Sequence, residues 1–476
     1  MRRIKKEVSV EHPIIAKKIN ASLDLSVREG LLSSVSVGSG LSYFSPFALA
    51  MSATSTQIGI LYAITYLFPS LVQLKTSKLI ERFSRKKLVL IGVLGKILLW
   101  IPIILTGVLF YFRVPYMVWF FIGLVGLFYG VTAISHPAWF SWMGSLVPED
   151  RRGKYFSKRN RVAGFFGVVT MVCGAIILDA SKKVGVHFGD VVGFTLLGFG
   201  LLFLISALVR IWSLNLLRKQ YEPRIKIKKR DYFSFRQFLK KFRENPFGRF
   251  TLFAGALSFV VAIAGPFWAV YMLRNLGFSY VWYMLVTVSS VIFQLIFLPL
   301  LGKVSDKFGN VRLIIISSWA IVLTPLLWVG SIFVGSDLMV KLYLLFVPSI
   351  IGGFGWAGYN LAVNNYVYDA VSGPKRGFGV AYMNLIIGVG MFLGAGLGSL
   401  LALTGVSFMN PLLFIFVVSA LGRFLVTFFG LRFLREVRHV RKFSSNYLIK
   451  EFQPMRGIVR EVHNLEHLAE KVEHFK

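Results

Sequence analysis

Long apolar runs alternate with short polar breaks along most of the chain. Bounded by charged or Pro/Gly-containing breaks, they predict spans near 30–51, 57–76, 88–110, 115–142, 161–179 and 190–214, then 249–273, 280–301, 312–334, 340–366, 378–403 and 411–434. A run of about 20 apolar residues crosses the roughly 30 Å hydrocarbon core as a helix, whereas a membrane β-barrel needs short alternating strands. The pattern therefore predicts an all-α integral membrane protein with twelve transmembrane helices. The corresponding divisions are an N-terminal segment (1–29), a six-helix bundle (30–214), a basic linker (215–248), a second six-helix bundle (249–434) and a tail (435–476).

The second bundle repeats the first. Ser77-Lys78-Leu79-Ile80-Glu81-Arg82-Phe83-Ser84-Arg85-Lys86-Lys87 returns in register as Gly302-Lys303-Val304-Ser305-Asp306-Lys307-Phe308-Gly309-Asn310-Val311-Arg312. Ser45-Pro46-Phe47 is echoed by Gly265-Pro266-Phe267, Arg152-Gly153 by Arg376-Gly377, and Ser206-Ala207-Leu208-Val209-Arg210 by Ser419-Ala420-Leu421-Gly422-Arg423. The echoes keep their order and nearly constant spacing. Two parallel six-helix halves with a site between them are a transporter architecture.

Charge orients the bundle. The chain is 55% hydrophobic and only 16% charged, against roughly 25% in soluble domains, yet its net charge is +33. Of its 54 lysines and arginines, 46 fall in the termini, the linker and alternate loops, while the intervening loops hold only Arg113, Lys182, Lys183, Arg274 and Lys341. This split is the positive-inside pattern, which predicts cytoplasmic termini and explains the charge through anionic headgroups without nucleic acid. The polar first 29 residues lead into a full-length apolar run without a small-residue cleavage site, so no signal peptide is expected. A single cysteine, Cys173, excludes a disulfide within the chain. In the linker, Phe233, Phe235, Phe238 and Phe242 suggest an amphipathic helix on the inner leaflet, and Ile458, Val462, Leu465, Ala469 and Val472 suggest another in the tail. His463 and His467 read as one solvated face of that tail helix, and no metal site is expected.

The paired loops resemble the signature of the major facilitator superfamily, Gly-x-Leu-x-Asp-Arg-x-Gly-Arg, between the second and third helices of each half. Gly302, Asp306, Lys307, Gly309 and Arg312 match it, with Asn310 where a base is expected; the first copy has Ser77, Glu81 and Ser84 in place of Gly, Asp and Gly. The resemblance covers about 30–434 and implies two bundles rocking about a central substrate site. It also implies that Glu81, Arg82 and Arg85, with Gly302, Asp306, Lys307, Gly309 and Arg312, form a conformational lock. Two patterns of the drug/proton antiporter branch are missing: span four has no Arg-x-x-x-Gly, and span five, with Gly164, Gly167 and Gly174, lacks a Gly-Pro element.

Polar groups deep in a span are costly and so point to function. His136 shares a face of span four with Thr132, Trp139 and Met143, and the repeat maps it onto Asn360, which shares a face with Trp356 and Asn364. Imidazole and carboxamides exchange hydrogen bonds with a polar solute, and indoles stack on flat or sugar faces. Tyr43, Trp268 and Tyr271 are further candidate substrate contacts. No carboxylate is expected deep in a span, with Asp179 and Asp369 at span ends, so proton coupling rests on His136 or the protein is a facilitator. Lys96, Arg210 and Arg423 are expected to snorkel. Gly388, Gly390, Gly394, Gly396 and Gly398 in span eleven predict a packing face suited to sliding helices.

A small-solute transporter in the cytoplasmic membrane, monomeric, surrounded by lipid and with protons as the candidate coupling ion, is the leading reading. A lipid or amphiphile flippase of the same fold and a non-transporting receptor or scaffold are the alternatives. An enzyme is not expected: His136 is a lone imidazole, and no His-Glu-x-x-His or intramembrane carboxylate pair accompanies it. No cofactor is implied.

Overall fold

The computed structural model describes residues 13–148, 152–223, 235–240, 242, 244–371, 373–404, 409–438 and 440, with backbone alone at 13–16, 73–82, 152–154 and 373–377. The first span is discontinuous: α1 (Pro13–Ser39), a 3-10 turn (Leu41–Tyr43) and α2 (Phe44–Ala50). There follow α3 (Ser55–Arg82), α4 (Arg85–Tyr111), α5 (Met117–Leu146), α6 (Arg152–Phe188) and α7 (Val191–Lys219). The linker contributes α8 (Phe235–Lys240). The seventh span is broken like the first, into α9 (Pro246–Ala264), α10 (Phe267–Val270) and a π-helical turn (Tyr271–Asn275). The remainder are α11 (Tyr280–Phe308), α12 (Asn310–Val329), α13 (Asp337–Ala370), α14 (Gly373–Leu401) and α15 (Pro411–Gly430). Among the described residues eleven segments are long and apolar enough to cross a membrane; with the broken first span this agrees with the twelve-span reading.

Local chemistry sets the helix starts. Side chains of Ser84, Asp190, Asn245, Ser279, Ser336 and Asn410 each accept a hydrogen bond from an N–H two or three residues on, satisfying donors that a first turn leaves free. In span seven the break falls at the repeated Pro266-Phe267 pair, since proline removes a helical donor and crowds the preceding turn, whereas in span one the break at Gly40–Tyr43 comes before Pro46-Phe47, which lies within α2. Gly40, at the first break, lets the Trp100 ring and Ser206 approach where a β-carbon would collide with both.

Span one starts much earlier than its apolar run implies. Ser22, Ser26, Glu29, Ser36 and Ser39 recur at helical spacing, and all are buried against the rest of the first half. The helix therefore continues through polar residues because its polar face points inward. The linker also differs from expectation: Phe235 and Phe238 of α8 pack on Tyr382, and Phe238 on Phe247, so this element docks on the second half rather than on a lipid leaflet. The predicted tail helix and its two histidines lie outside the described residues.

The halves meet along α3 with α14 and α6 with α11. At the end away from the linker, the Asp179 carboxylate accepts from the N–H groups of Tyr280 (2.9 Å) and Val281 (3.0 Å), capping α11 from the other half. There too Arg274 donates to the Ala53 carbonyl (2.6 Å) and Thr56 to that of Ser399 (3.5 Å). Further along α3, Ser70 donates to the Asn384 carbonyl (3.1 Å), where Gly388 admits close approach. Three of the span-eleven glycines instead pack within their own half. Gly390, Gly394 and Gly398 face the carbonyls of Gly255, Phe259 and Ile263, a four-residue spacing on both helices.

A β-carbon at Gly394 would overlap the Phe259 carbonyl oxygen, a backbone atom with no rotamer to retreat into. Gly394→Ala is expected to cost about 1–3 kcal/mol, read as a lowered thermal midpoint in detergent, whereas Gly396→Ala, with nothing within reach of the new carbon, leaves the midpoint near that of the parent.

Candidate functional site

The polar residues that the repeat pairs occupy matching places in the two halves. His136 and Phe140 are exposed on α5, as are Asn360 and Asn364 on α13. Far from the linker, α5 exposes Phe120, Gly123 and Leu127; His136 lies nine residues beyond Leu127, about two and a half turns, and so on the opposite face. The exposed face thus changes from one side of α5 to the other. Pro137 removes the donor that would serve the Ala133 carbonyl, an irregularity one residue from His136. Trp139 is half-buried beneath the Arg159 guanidinium, 4.4 Å from the ring centroid, and its indole N–H is buried with no acceptor. Trp356 is half-buried, edge-on to Tyr359 at 5.9 Å.

The other three candidate contacts are committed inside their own halves. Tyr43 is fully buried in the 3-10 turn, where its hydroxyl donates to the Met171 carbonyl. Tyr271 is buried with its hydroxyl 2.8 Å from that of Ser331. Trp268 stacks on Phe416 at 4.1 Å and leans on Trp328 at 4.7 Å.

Deep in the first half lies a carboxylate that the apolar pattern leaves in the N-terminal segment. Glu29 is 4% exposed; Arg159 (3.1 Å) and Arg210 (3.2 Å) each donate to one of its oxygens, and Ser213 donates a further hydrogen bond (3.1 Å). The legible signal was the polar spacing of Ser22, Ser26, Glu29 and Ser36, which overrides the charge-bounded run. Lys96 lies within Coulombic range of Glu29, Arg210 and His136, with its ammonium 5.9 Å from the Phe128 centroid. Arg423, the counterpart of Arg210, is 2% exposed without a carboxylate; the Ser419 hydroxyl and the carbonyls of Ile321 and Val261 accept from it.

The repeated loops are tied to the segments that follow each bundle. Arg85 is buried: its backbone N–H and side chain both reach Glu222 (2.9 and 3.3 Å), and its guanidinium also donates to the Ser141 and Pro223 carbonyls and the Ser145 hydroxyl. Lys86 donates to the carbonyls of Arg218 and Gln220. In the second copy Glu436 accepts from the Val311 N–H (2.9 Å), and Asn310 accepts from Ser305 and donates to Asp369. Arg438 reaches the Ser305 and Asp306 carbonyls and lies 3.8 Å from Asp369. Gly309 holds φ +90°, and a β-carbon there would meet Glu436. Gly302 faces open space. Asp306 and Arg312 are exposed and Lys307 half-buried, while Glu81 and Arg82 lie where only the backbone is described. Arg85 and Asn310 are thus held within their own halves. A concavity of about 710 Å³ lined by Gln57, Tyr111, Arg113, Trp119 and Asp190 belongs to the first half alone, at the end far from these loops.

A family of membrane transporters matches this architecture over nearly its whole length: the Major Facilitator Superfamily, over residues 30–269 and 251–460. The chain belongs to that superfamily and is a multi-pass membrane protein of its solute-transporter class. No curated protein matches it. Among solved structures it is similar to the nucleoside transporter NupG (TM-score 0.60, 14% identity, 87% of this chain and 99% of that one). It is likewise similar to a D-xylose-proton symporter (0.62, 15%, 90% and 100%) and to a bacterial homologue of the iron transporter ferroportin in its inward-facing state (0.62, 14%, 90% and 100%).

Removing the carboxylate that neutralises two buried guanidiniums is expected to be severe. Glu29→Gln should cost about 3–5 kcal/mol in thermal unfolding, and Glu29→Gln combined with Arg210→Met should recover part of that loss. A double variant no more stable than the single one would show that the pair does not act as a unit.

Proposed function

We propose that the protein carries a small organic solute across the cytoplasmic membrane by alternating access, with the two bundles, about 30–214 and 249–434, as the moving bodies. The carrying observation is the closure of one end by Asp179, Arg274 and Thr56 while His136, Asn360 and Asn364 remain exposed on facing helices. With the basic linker read as cytoplasmic from the positive-inside pattern, the proposed state is inward-open with both termini inside. In support, the ferroportin homologue superposes better in its inward-facing state (TM-score 0.62) than in its outward-facing one (0.55). The exposed Asp306 fits a cytoplasmic lock that is released in this state. Transport involves no catalytic step, and the monomer contains both halves of the site.

His136, Trp139, Trp356, Asn360 and Asn364 are the proposed solute contacts. A proton gradient is the proposed energy source, with His136 as the coupling group. Uptake by His136→Gln that keeps its full response to a pH gradient would remove His136 from coupling.

Alternating access is testable at the closed end. A β-carbon built on Gly59 lies 3.0 Å from that of Ser399, near the separation a disulfide spans. In a Cys173→Ser background, Gly59→Cys with Ser399→Cys should lose proteoliposome uptake on oxidation and regain it on reduction. Undiminished uptake by the cross-linked protein would refute the reading.

A further inference from the structure

Lys96 is the charged group of the first half that its own helices leave unanswered. It sits eleven residues into α4, which at 1.5 Å per residue is about 16 Å from the helix start, the middle of a roughly 30 Å core. Snorkelling does not carry an ammonium that far. Among the described residues it has no hydrogen-bond or ion-pair partner, and its nitrogen lies 5.9 Å from the Phe128 ring centroid. Glu29 is within Coulombic range but already engaged by Arg159, Arg210 and Ser213. Glu29, Lys96, Arg159 and Arg210 together therefore carry a net charge of about +2 when all are ionised, in a medium where an uncompensated charge is costly.

The surplus lies beside the proposed solute contacts. His136 is exposed on α5, and α4 packs on α5 next to both residues, Gly92 against Ser135 and Gly95 against Val131. One turn further along α5 the Trp139 indole N–H is buried without an acceptor. An ammonium, an imidazole and an unused N–H are donors, and what they lack is an anionic acceptor. Resting on the transporter reading above, we infer that the carried solute is an organic oxyanion, a carboxylate or a phosphate ester, held by Lys96 with His136 and Trp139 as neighbouring donors. A cationic cargo would meet repulsion from the same groups. A neutral one would leave the ammonium unpaired.

The test is uptake into proteoliposomes of matched pairs: benzoate with benzamide, succinate with succinamide, glycerol 3-phosphate with glycerol, and glucose 6-phosphate with glucose, alongside tetraethylammonium. At least one oxyanion should be carried and its neutral counterpart neither carried nor competitive; which pair responds separates carboxylate from phosphate. Lys96→Gln should weaken half-saturation for that oxyanion about tenfold or more, and Lys96→Arg should retain it. Competition by the neutral counterpart in the unmutated protein decides the matter even if Lys96→Gln does not fold. Uptake of a neutral or cationic member, unchanged by Lys96→Gln, would overturn the assignment and leave the transporter reading intact. No uptake of any member would overturn the oxyanion assignment.

Discussion

A charge in hydrocarbon must be met by an opposite charge or by a shell of dipoles, and the two halves meet this demand differently around the same repeated arginine. In the first half Arg210 is held by Glu29, which also binds Arg159 and so draws α1, α6 and α7 together. In the second half Arg423 takes backbone carbonyls from α9 and α12 and the hydroxyl of Ser419. The serine four residues before each arginine does the same work in both: Ser206 bonds the Ser36 carbonyl and Ser419 the Val260 carbonyl, tying the last helix of each half to the first. The arginine and its serine are repeated, but the acid is not.

A second repeat emerges only in three dimensions. Glu222 and Glu436 follow the last helix of their respective halves, and each accepts a backbone N–H at the start of the third helix, from Arg85 and from Val311. Their spacing along the chain is nearly that of Arg210 and Arg423. An acceptor at a helix start satisfies a free donor and is favoured by the helix dipole, so both copies preserve the cap although the surrounding residues differ. The loops and the segments after each bundle are therefore one structural unit in each half.

Much of this was legible from sequence because the bilayer simplifies the code: long apolar runs give spans, and repeated short motifs give the two halves. What was lost followed from the same simplification. Bounding a span by its charges excluded Glu29, although the helix runs on through it with its polar face turned inward. The repeat paired His136 with Asn360, both exposed, but Tyr43 and Tyr271 did not separate from them, since a buried tyrosine with a private acceptor and one facing a cavity look alike in sequence. The glycines of α14 announced close packing, but not that three of them serve α9 of the same half. Lys96 read as a snorkelling residue because the run-based boundary brought the helix end too near.

The docking of α8 has a mechanical consequence. The chain leaving the first half is held at Glu222 and Pro223 by Arg85, and it is held again on the second half where Phe235 and Phe238 meet Tyr382. The twelve residue steps from Pro223 to Phe235 span at most roughly 40 Å, which limits how far the two bodies can part on the linker side.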